Sequence, residues 1–105
     1  MSHILKKNIK IKRYDLAVVI PVFNNSEDIK SLFYNFKKSN FNKILLCFVD
    51  DSRDKKVIIE INKYFKKNTL IFKGPNEKDG RNAAIRMVFK WILKKTEIKN
   101  IAEFD

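Results

Sequence analysis

Short, continuous apolar runs alternate with amphipathic stretches along this sequence. The runs occupy residues 16–20, 44–49 and 69–72, with a shorter fourth at 100–104 that includes Asn100 and Glu103, and the first is followed directly by Pro21. Continuous apolar runs of this length are typical of strands that are buried on both faces of a parallel sheet. The pattern therefore predicts four strands.

Three amphipathic stretches between these runs predict helices. The first begins at Ser26, a good capping residue, with Glu27 and Asp28 in the first turn, where acidic groups suit the helix dipole. The second begins near Asp54 and the third near residues 80–82. Spacings of three and four place these apolar residues toward a core: Ile29, Leu32, Phe33 and Phe36; Val57, Ile58, Ile61, Tyr64 and Phe65; Ala84, Met87, Val88, Trp91 and Ile92.

The order β-α-β-α-β-α-β predicts a three-layer α/β/α domain with a mostly parallel sheet of about four strands and right-handed crossovers. At 105 residues the chain is one domain. We expect residues 1–14, with a dense basic stretch at 6–13, to be a basic leader, and residues 15–105 to form the domain.

The residue inventory excludes several kinds of site. Cys47 is the only cysteine and His3 the only histidine, so no disulfide and no cysteine metal cluster can form within the chain. Gly74 and Gly80 are the only glycines, so the sequence contains neither a dinucleotide-binding fingerprint nor a P-loop.

The charge is strongly basic, with 23 Lys and Arg against 12 Asp and Glu, a formal +11. Because the lysines are spread along the chain, a solvated surface is the first interpretation, although the excess also suits a phosphate-bearing ligand or a membrane surface. No apolar stretch approaches the length of a membrane span, and no secretory signal is present. We expect a cytoplasmic location, with peripheral attachment at the inner membrane face as a further expectation.

Polar residues follow each expected strand, at 21–25, 50–52, 73–76 and 105. In an open parallel sheet these positions meet at one edge, where ligands bind near a switch in strand order. Either acid of the Asp50–Asp51 pair could contact a ligand or cap the next helix, and Asp51 is the favoured contact. Arg81, near a helix start, could pair with phosphate.

These motifs resemble those of family 2 glycosyltransferases, which have the GT-A fold. The strings AVVIPVFNN, FVDDSRD, NEKDGRNAAI and IAEFD are similar, in order and spacing, to the family's first strand, its V-D-D-G-S-x-D, its A-R-N-x-G stretch and the strand leading into its D-x-D. The resemblance covers residues 16–105. The sequence departs from the family pattern where VDDSRD lacks a glycine after the two aspartates. It also has Gly80 where the family usually has alanine, and Ala84 where it usually has glycine.

The resemblance implies a transferase that moves a sugar from a nucleotide diphosphate, with a UDP-sugar expected, to a hydroxyl of a glycan or lipid-linked sugar such as a cell-envelope polysaccharide. The implied nucleotide-sugar contacts are Pro21, Phe23, Asn24, Glu27, Asp51, Arg81 and Asp105. Pro21, Phe23, Asn24 and Asp51 would lie near the base, Arg81 near the diphosphate and Asp105 near the ribose.

Asp105 also matches the first aspartate of D-x-D, which implies a metal contact there. The principal metal ligand and the catalytic base of the family would follow Asp105. We therefore expect a front half of the domain, with weak or no transfer by itself and no catalytic residue among those present. A divalent Mg or Mn ion is expected only if the missing D-x-D aspartate is supplied.

Other interpretations stay open. A receiver-like phosphoacceptor domain would need its acid pair after the first strand, whereas here it follows the second. A non-catalytic α/β module for nucleotides or nucleic acid is permitted by the charge, but the aromatic residues lie on core-facing stripes, and no specific nucleic acid partner is expected. A partner-dependent fragment would follow if the strand order were 3-2-1-4, because the fourth strand would then be an exposed edge.

Overall fold

The computed structural model describes residues 3–8, 14–38, 43–74 and 81–104. In these ranges the elements follow in the order β1 (His3–Asn8), β2 (Leu16–Val22), α1 (Ser26–Lys38), β3 (Ile44–Asp50), α2 (Lys56–Tyr64), β4 (Thr69–Lys73), α3 (Arg81–Lys95) and β5 (Ile101–Glu103). The α/β class, the four parallel strands and the three helices expected from the sequence are thus confirmed.

The strands form one sheet in the order β1-β4-β3-β2-β5. Strands β2 to β5 are parallel, and α1 and α2 carry the chain stepwise from β2 to β4. Helix α3 then returns the chain across the sheet, so that β5 pairs with the other side of β2. The strand order therefore reverses between β2 and β5, which is the order 3-2-1-4 for the four strands that the sequence indicated.

Strand β1 lies in the segment interpreted as a basic leader. It pairs antiparallel with β4, with Lys7 opposite Leu70 and an irregularity in register between Ile4 and Lys6. The sequence HILKKN has too little apolar content to indicate a strand. Strand β1 is placed by the edge of β4, where unpaired backbone groups need hydrogen-bond partners. Such backbone pairing leaves no pattern in the side chains from which it could be predicted.

Two apolar cores lie on opposite faces of the sheet, as a three-layer arrangement requires. Helices α1 and α2 cover one face, where Ile29, Val57 and Ile61 pack on alternate residues of the strands. Helix α3 covers the other face, with Ala84, Ile85, Val88 and Ile92 buried in its core.

The expected helix faces hold with one correction. Met87, expected in the core, is 40% exposed, and Ile85 is buried in its place. The buried stripe of α3 is centred near Val88 and Ile92, and Met87 lies one step of about 100° away from it. Trp91 lies half-buried at the border of the stripe, with its ring centroid 5.5 Å from that of Phe72.

Candidate functional site

Three strand ends lie side by side at the carboxyl edge of the sheet. Val22 pairs with Asp50, and Asp50 pairs with Lys73. Backbone hydrogen bonds continue past the strands, because Asp51 N–H donates to the carbonyl of Val22 over 3.0 Å and Gly74 N–H donates to that of Asp50 over 2.8 Å. Hydrogen bonds therefore join the residues just after β2, β3 and β4 into one continuous surface.

The turn between β2 and α1 depends on Asn24. Its φ of 49° lies in the left-handed region, which Asn tolerates better than most residues. Its backbone N–H donates to Ser52 Oγ over 2.7 Å, and its Oδ1 accepts a long bond of 3.4 Å from Arg53 N–H. The turn is also braced by Asn25 Oδ1, which accepts from Phe23 N–H at 3.0 Å. The turn after β2 is thus fixed to the turn after β3.

The paired acids after β3 have different environments. Asp50 is fully buried, and its Oδ1 accepts the N–H of Ser52 at 2.9 Å. Asp50 Oδ2 is also buried and has no hydrogen-bond partner among the described residues. Asp51 is half-buried, and its carboxyl group lies against Gly74. Asp50 therefore shapes the turn, and Asp51 is the acid of the pair that reaches the surface.

Ser52 and Lys73 are site residues to which sequence reasoning gave no role. Ser52 is fully buried and accepts from Asn24, while the Lys73 ammonium donates to the Ser52 carbonyl oxygen. The available signal for Lys73 was its position, since it is the polar residue that ends an apolar run. These two residues connect β4 to both turns.

The structure brings some of the expected contacts together. Pro21 is half-buried in β2, Phe23 is 58% exposed just after it, and Asn24 lies beside the Asp51 turn. Glu27 is exposed in the first turn of α1. Arg81 begins α3, but its side chain lies outside what the structure describes, as does the whole of Asp105.

Strand β5 is shorter than its neighbours at this edge. Its last residue, Glu103, pairs with Val19, three positions before the end of β2. Phe104 N–H then donates to the Val19 carbonyl, and the Phe104 ring lies 5.8 Å from the ring of Phe36 on α1. The described part of β5 therefore ends before it reaches the carboxyl edge, where Asn24 and Asp51 lie.

The carboxylates of the described residues do not fit a metal centre. No group of three or more His, Cys, Asp or Glu side chains among these residues is placed to hold an ion. Asp50 Oδ1 is committed to the Ser52 N–H, which leaves Asp51 as the surface carboxylate of the β3 turn. The expected contact at Asp105 falls outside these residues.

Cys47 is not a candidate nucleophile. It is fully buried in the middle of β3, and burial raises the pKa of its thiol from 9.0 to about 12. The thiolate is the reactive form, so this side chain acts as a small core residue.

A shallow depression of about 550 Å³ lies at the amino ends of the parallel strands, opposite the carboxyl edge. Its lining residues, Tyr14, Asp15, Glu97, Lys99 and Asn100, precede β2 and β5. It lies away from the carboxyl ends of the strands, which carry the expected ligand contacts. Substitutions in it can therefore serve as controls for substitutions at the carboxyl edge.

No helix in the described ranges is both long enough and apolar enough to cross a membrane. Comparison of the chain with family models, with curated proteins and with solved structures finds no match. Any function assigned to the chain must therefore be supported by its own residues.

Proposed function

We propose that this chain is the nucleotide-sugar-binding front half of a family 2 glycosyltransferase and that it holds the nucleoside diphosphate of a UDP-sugar at the carboxyl edge of the sheet. One observation carries the proposal. The strand order reverses beside β2, and the end of β2 carries Asn24, which is bonded to the turn that contains Asp51. Open α/β sheets bind ligands in the crevice that such a reversal creates.

The groups at this edge have the chemistry that a nucleoside requires. The Asp51 carboxylate accepts hydrogen bonds, so it can take the N–H of a uracil-type base. Phe23 is exposed beside it and offers an apolar ring face to the base. The bond from Asn24 N–H to Ser52 Oγ keeps these two turns in a fixed relation, so little ordering is required on binding.

The diphosphate is assigned to the N-terminus of α3 because Arg81 begins that helix and matches the arginine that the family resemblance implies near the diphosphate. The first turn of α3 begins with Arg81 and contains no acidic residue, whereas the first turn of α1 contains Glu27 and Asp28. A helix N-terminus favours an anion, and an arginine there strengthens the effect. Since α3 follows β4, its N-terminus lies toward the same edge as Asp51.

Binding is the part of the reaction assigned to these residues. Transfer to an acceptor hydroxyl also requires a base and further stabilisation of the leaving diphosphate, and no group of described His, Cys, Asp or Glu side chains is placed to hold the metal ion that would provide the latter. A bound Mg or Mn ion would supply the charge stabilisation, provided that a D-x-D aspartate beyond Asp105 completes its ligands.

Calorimetric titration with UDP tests the proposal. Asp51→Asn should weaken UDP binding by about 10-fold to 100-fold, the value of a hydrogen bond to a charged group. Asp15→Asn is the matched control, because it makes the same change at the opposite edge of the sheet. If Asp51→Ala combined with Arg81→Ala leaves UDP affinity unchanged, the site assignment is wrong.

A non-catalytic nucleotide-binding module is the second candidate. It is favoured by the side chains at the carboxyl edge, which suit a nucleotide, while no cluster of described His, Cys, Asp or Glu residues is placed to hold a metal ion. The two candidates differ in a transfer assay with a UDP-sugar and a glycan acceptor, on a chain extended through the D-x-D segment. Sugar transfer supports the enzyme, and UDP binding without transfer supports the module.

A further inference from the structure

Helix α3 is the layer that covers its face of the sheet. It lies over β2 and β3 and buries Ala84, Ile85, Val88 and Ile92 against them. Among the described residues no other helix contributes to this core. The opposite side of α3 is therefore presented to the surroundings.

That side, here called the outer face of α3, combines basic and aliphatic side chains. Its members recur at spacings of three and four, and all are exposed: Ala83, Arg86, Met87, Lys90, Leu93 and Lys94. Met87 is 40% exposed and Leu93 is 56% exposed, although neither has a polar group to hydrate. Because Lys90 lies at the centre of this face, the two apolar side chains lie on either side of a basic row.

The charge of α3 has a single sign. Residues 81–95 contain five Arg and Lys residues and no Asp or Glu. The other helix layer is mixed, since α1 carries Glu27 and Asp28 and α2 carries Glu60 among their lysines. Within the described helices, the attraction for an anionic surface is thus strongest on α3.

We propose that the outer face of α3 binds the surface of an anionic phospholipid bilayer. The apolar face of α3 is buried on the sheet, so the contact is made by the outer face alone, with its cations at the lipid phosphates and its aliphatic groups at the boundary with the acyl chains. Arg86, Lys90 and Lys94 contact the headgroups, and Met87 and Leu93 enter between them. The long stems of lysine and arginine let both contacts form together.

Nucleic acid is the less suitable anionic partner. Binding of single strands uses aromatic side chains as stacking platforms for the bases. The outer face of α3 has none, and its exposed apolar groups are the aliphatic side chains of Ala83, Met87 and Leu93. Aliphatic groups bind hydrocarbon and have no stacking surface.

Co-sedimentation with vesicles tests the proposal. The chain should bind vesicles of phosphatidylcholine mixed with phosphatidylglycerol and should not bind pure phosphatidylcholine. The variant Arg86→Gln, Lys90→Gln, Lys94→Gln should bind the anionic vesicles roughly 100-fold more weakly, at about fivefold for each charge. The matched control is Lys55→Gln, Lys56→Gln, Lys67→Gln, which removes the same charge from exposed positions around α2 and should lose less than about tenfold.

A second variant, Met87→Ser with Leu93→Ser, keeps every charge and should still weaken vesicle binding at least about fivefold, by loss of apolar contact. Equal losses in the two charge variants would overturn the proposal, as would full binding by the serine variant. Binding of single-stranded poly(U) in preference to anionic vesicles, abolished by the α3 charge variant, would replace lipid by nucleic acid. UDP affinity should be unchanged in the two α3 variants, so the result does not depend on the proposed nucleotide site.

Discussion

The carboxyl group of Asp51 lies against the Cα of Gly74. A β-carbon added at residue 74 would come within 2.8 Å of Asp51 Oδ1 and 3.2 Å of its Cγ. The Gly74 backbone is itself held, because its N–H donates to the carbonyl of Asp50. The absence of a side chain at residue 74 therefore leaves the space in which the Asp51 carboxylate lies.

Gly74→Ala should weaken UDP binding by about tenfold or more, because the new methyl group displaces the Asp51 carboxylate. The displaced group is the end of a flexible side chain, so we expect the free energy of unfolding to fall by less than about 1 kcal/mol. Calorimetry and urea unfolding measure the two effects. In an Asp51→Ala background, Gly74→Ala should have no further effect on affinity, and a second full loss would show that the carboxylate is not the group displaced.

Ser52→Ala should lower the free energy of unfolding by about 1–3 kcal/mol, because the N–H of Asn24 loses its acceptor where Ser52 is fully buried. Ser31→Ala, at an exposed position of α1, is the control and should change stability by less than about 0.5 kcal/mol. Urea unfolding compares the two variants. Equal stability of both would show that the Asn24–Ser52 bond does not hold the turns together.

Cys47 should make stability depend on pH in the alkaline range. Its thiol pKa is about 12 when folded and near 9.0 when exposed by unfolding, so above pH 9 the unfolded chain holds fewer protons than the native chain. Its contribution is fully present below pH 9 and is lost at about 1.4 kcal/mol per pH unit as the pH rises toward 12. Urea unfolding at pH 8 and pH 10 should show a steeper loss for the wild type than for Cys47→Ala. The two proteins differ only at residue 47, so identical slopes would contradict the assignment.

Val88→Ala and Met87→Ala test the orientation of α3. Val88 is fully buried, and its truncation should lower the free energy of unfolding by about 1–3 kcal/mol through lost contacts and a cavity. The neighbouring Met87 is exposed, and its truncation should change stability by less than about 1 kcal/mol. Thermal or urea unfolding measures both. A larger loss at Met87 than at Val88 would mean that the helix is rotated.

Much of the fold could be predicted because the strands in the sheet centre are buried on both faces. Residues 44–49 and 70–72 are apolar throughout for that reason, and the apolar stripes of the helices follow from the same burial. Strand β1 could not be predicted, because its pairing is made by backbone groups and its side chains carry little pattern. Met87 was expected in the core and is exposed. The spacing of apolar residues shows which side of a helix is buried, but it does not show which residues at the margin of that side are buried.

The candidate site was predictable in position and less so in detail. The rule that strand ends share an edge placed Asn24 and Asp51 together, as the structure shows. The sequence favoured Asp51 over Asp50 as the ligand contact, but it could not show that Asp50 is buried, because burial depends on the turn that follows. The bond from Lys73 to the Ser52 carbonyl joins positions 21 residues apart and has no local signal.

The pairing of β1 with β4 has a consequence for how the chain reaches its native state. Residues 3–8 are made before their partner strand, residues 69–73, so the pair cannot form until residues 9–68 between them have been synthesised. Closing so long a loop is slow relative to forming the local β2-α1-β3 unit. We therefore expect β1 to dock after the β2-α1-β3 unit has formed and its amide hydrogens to exchange with solvent sooner than those of β2 and β3.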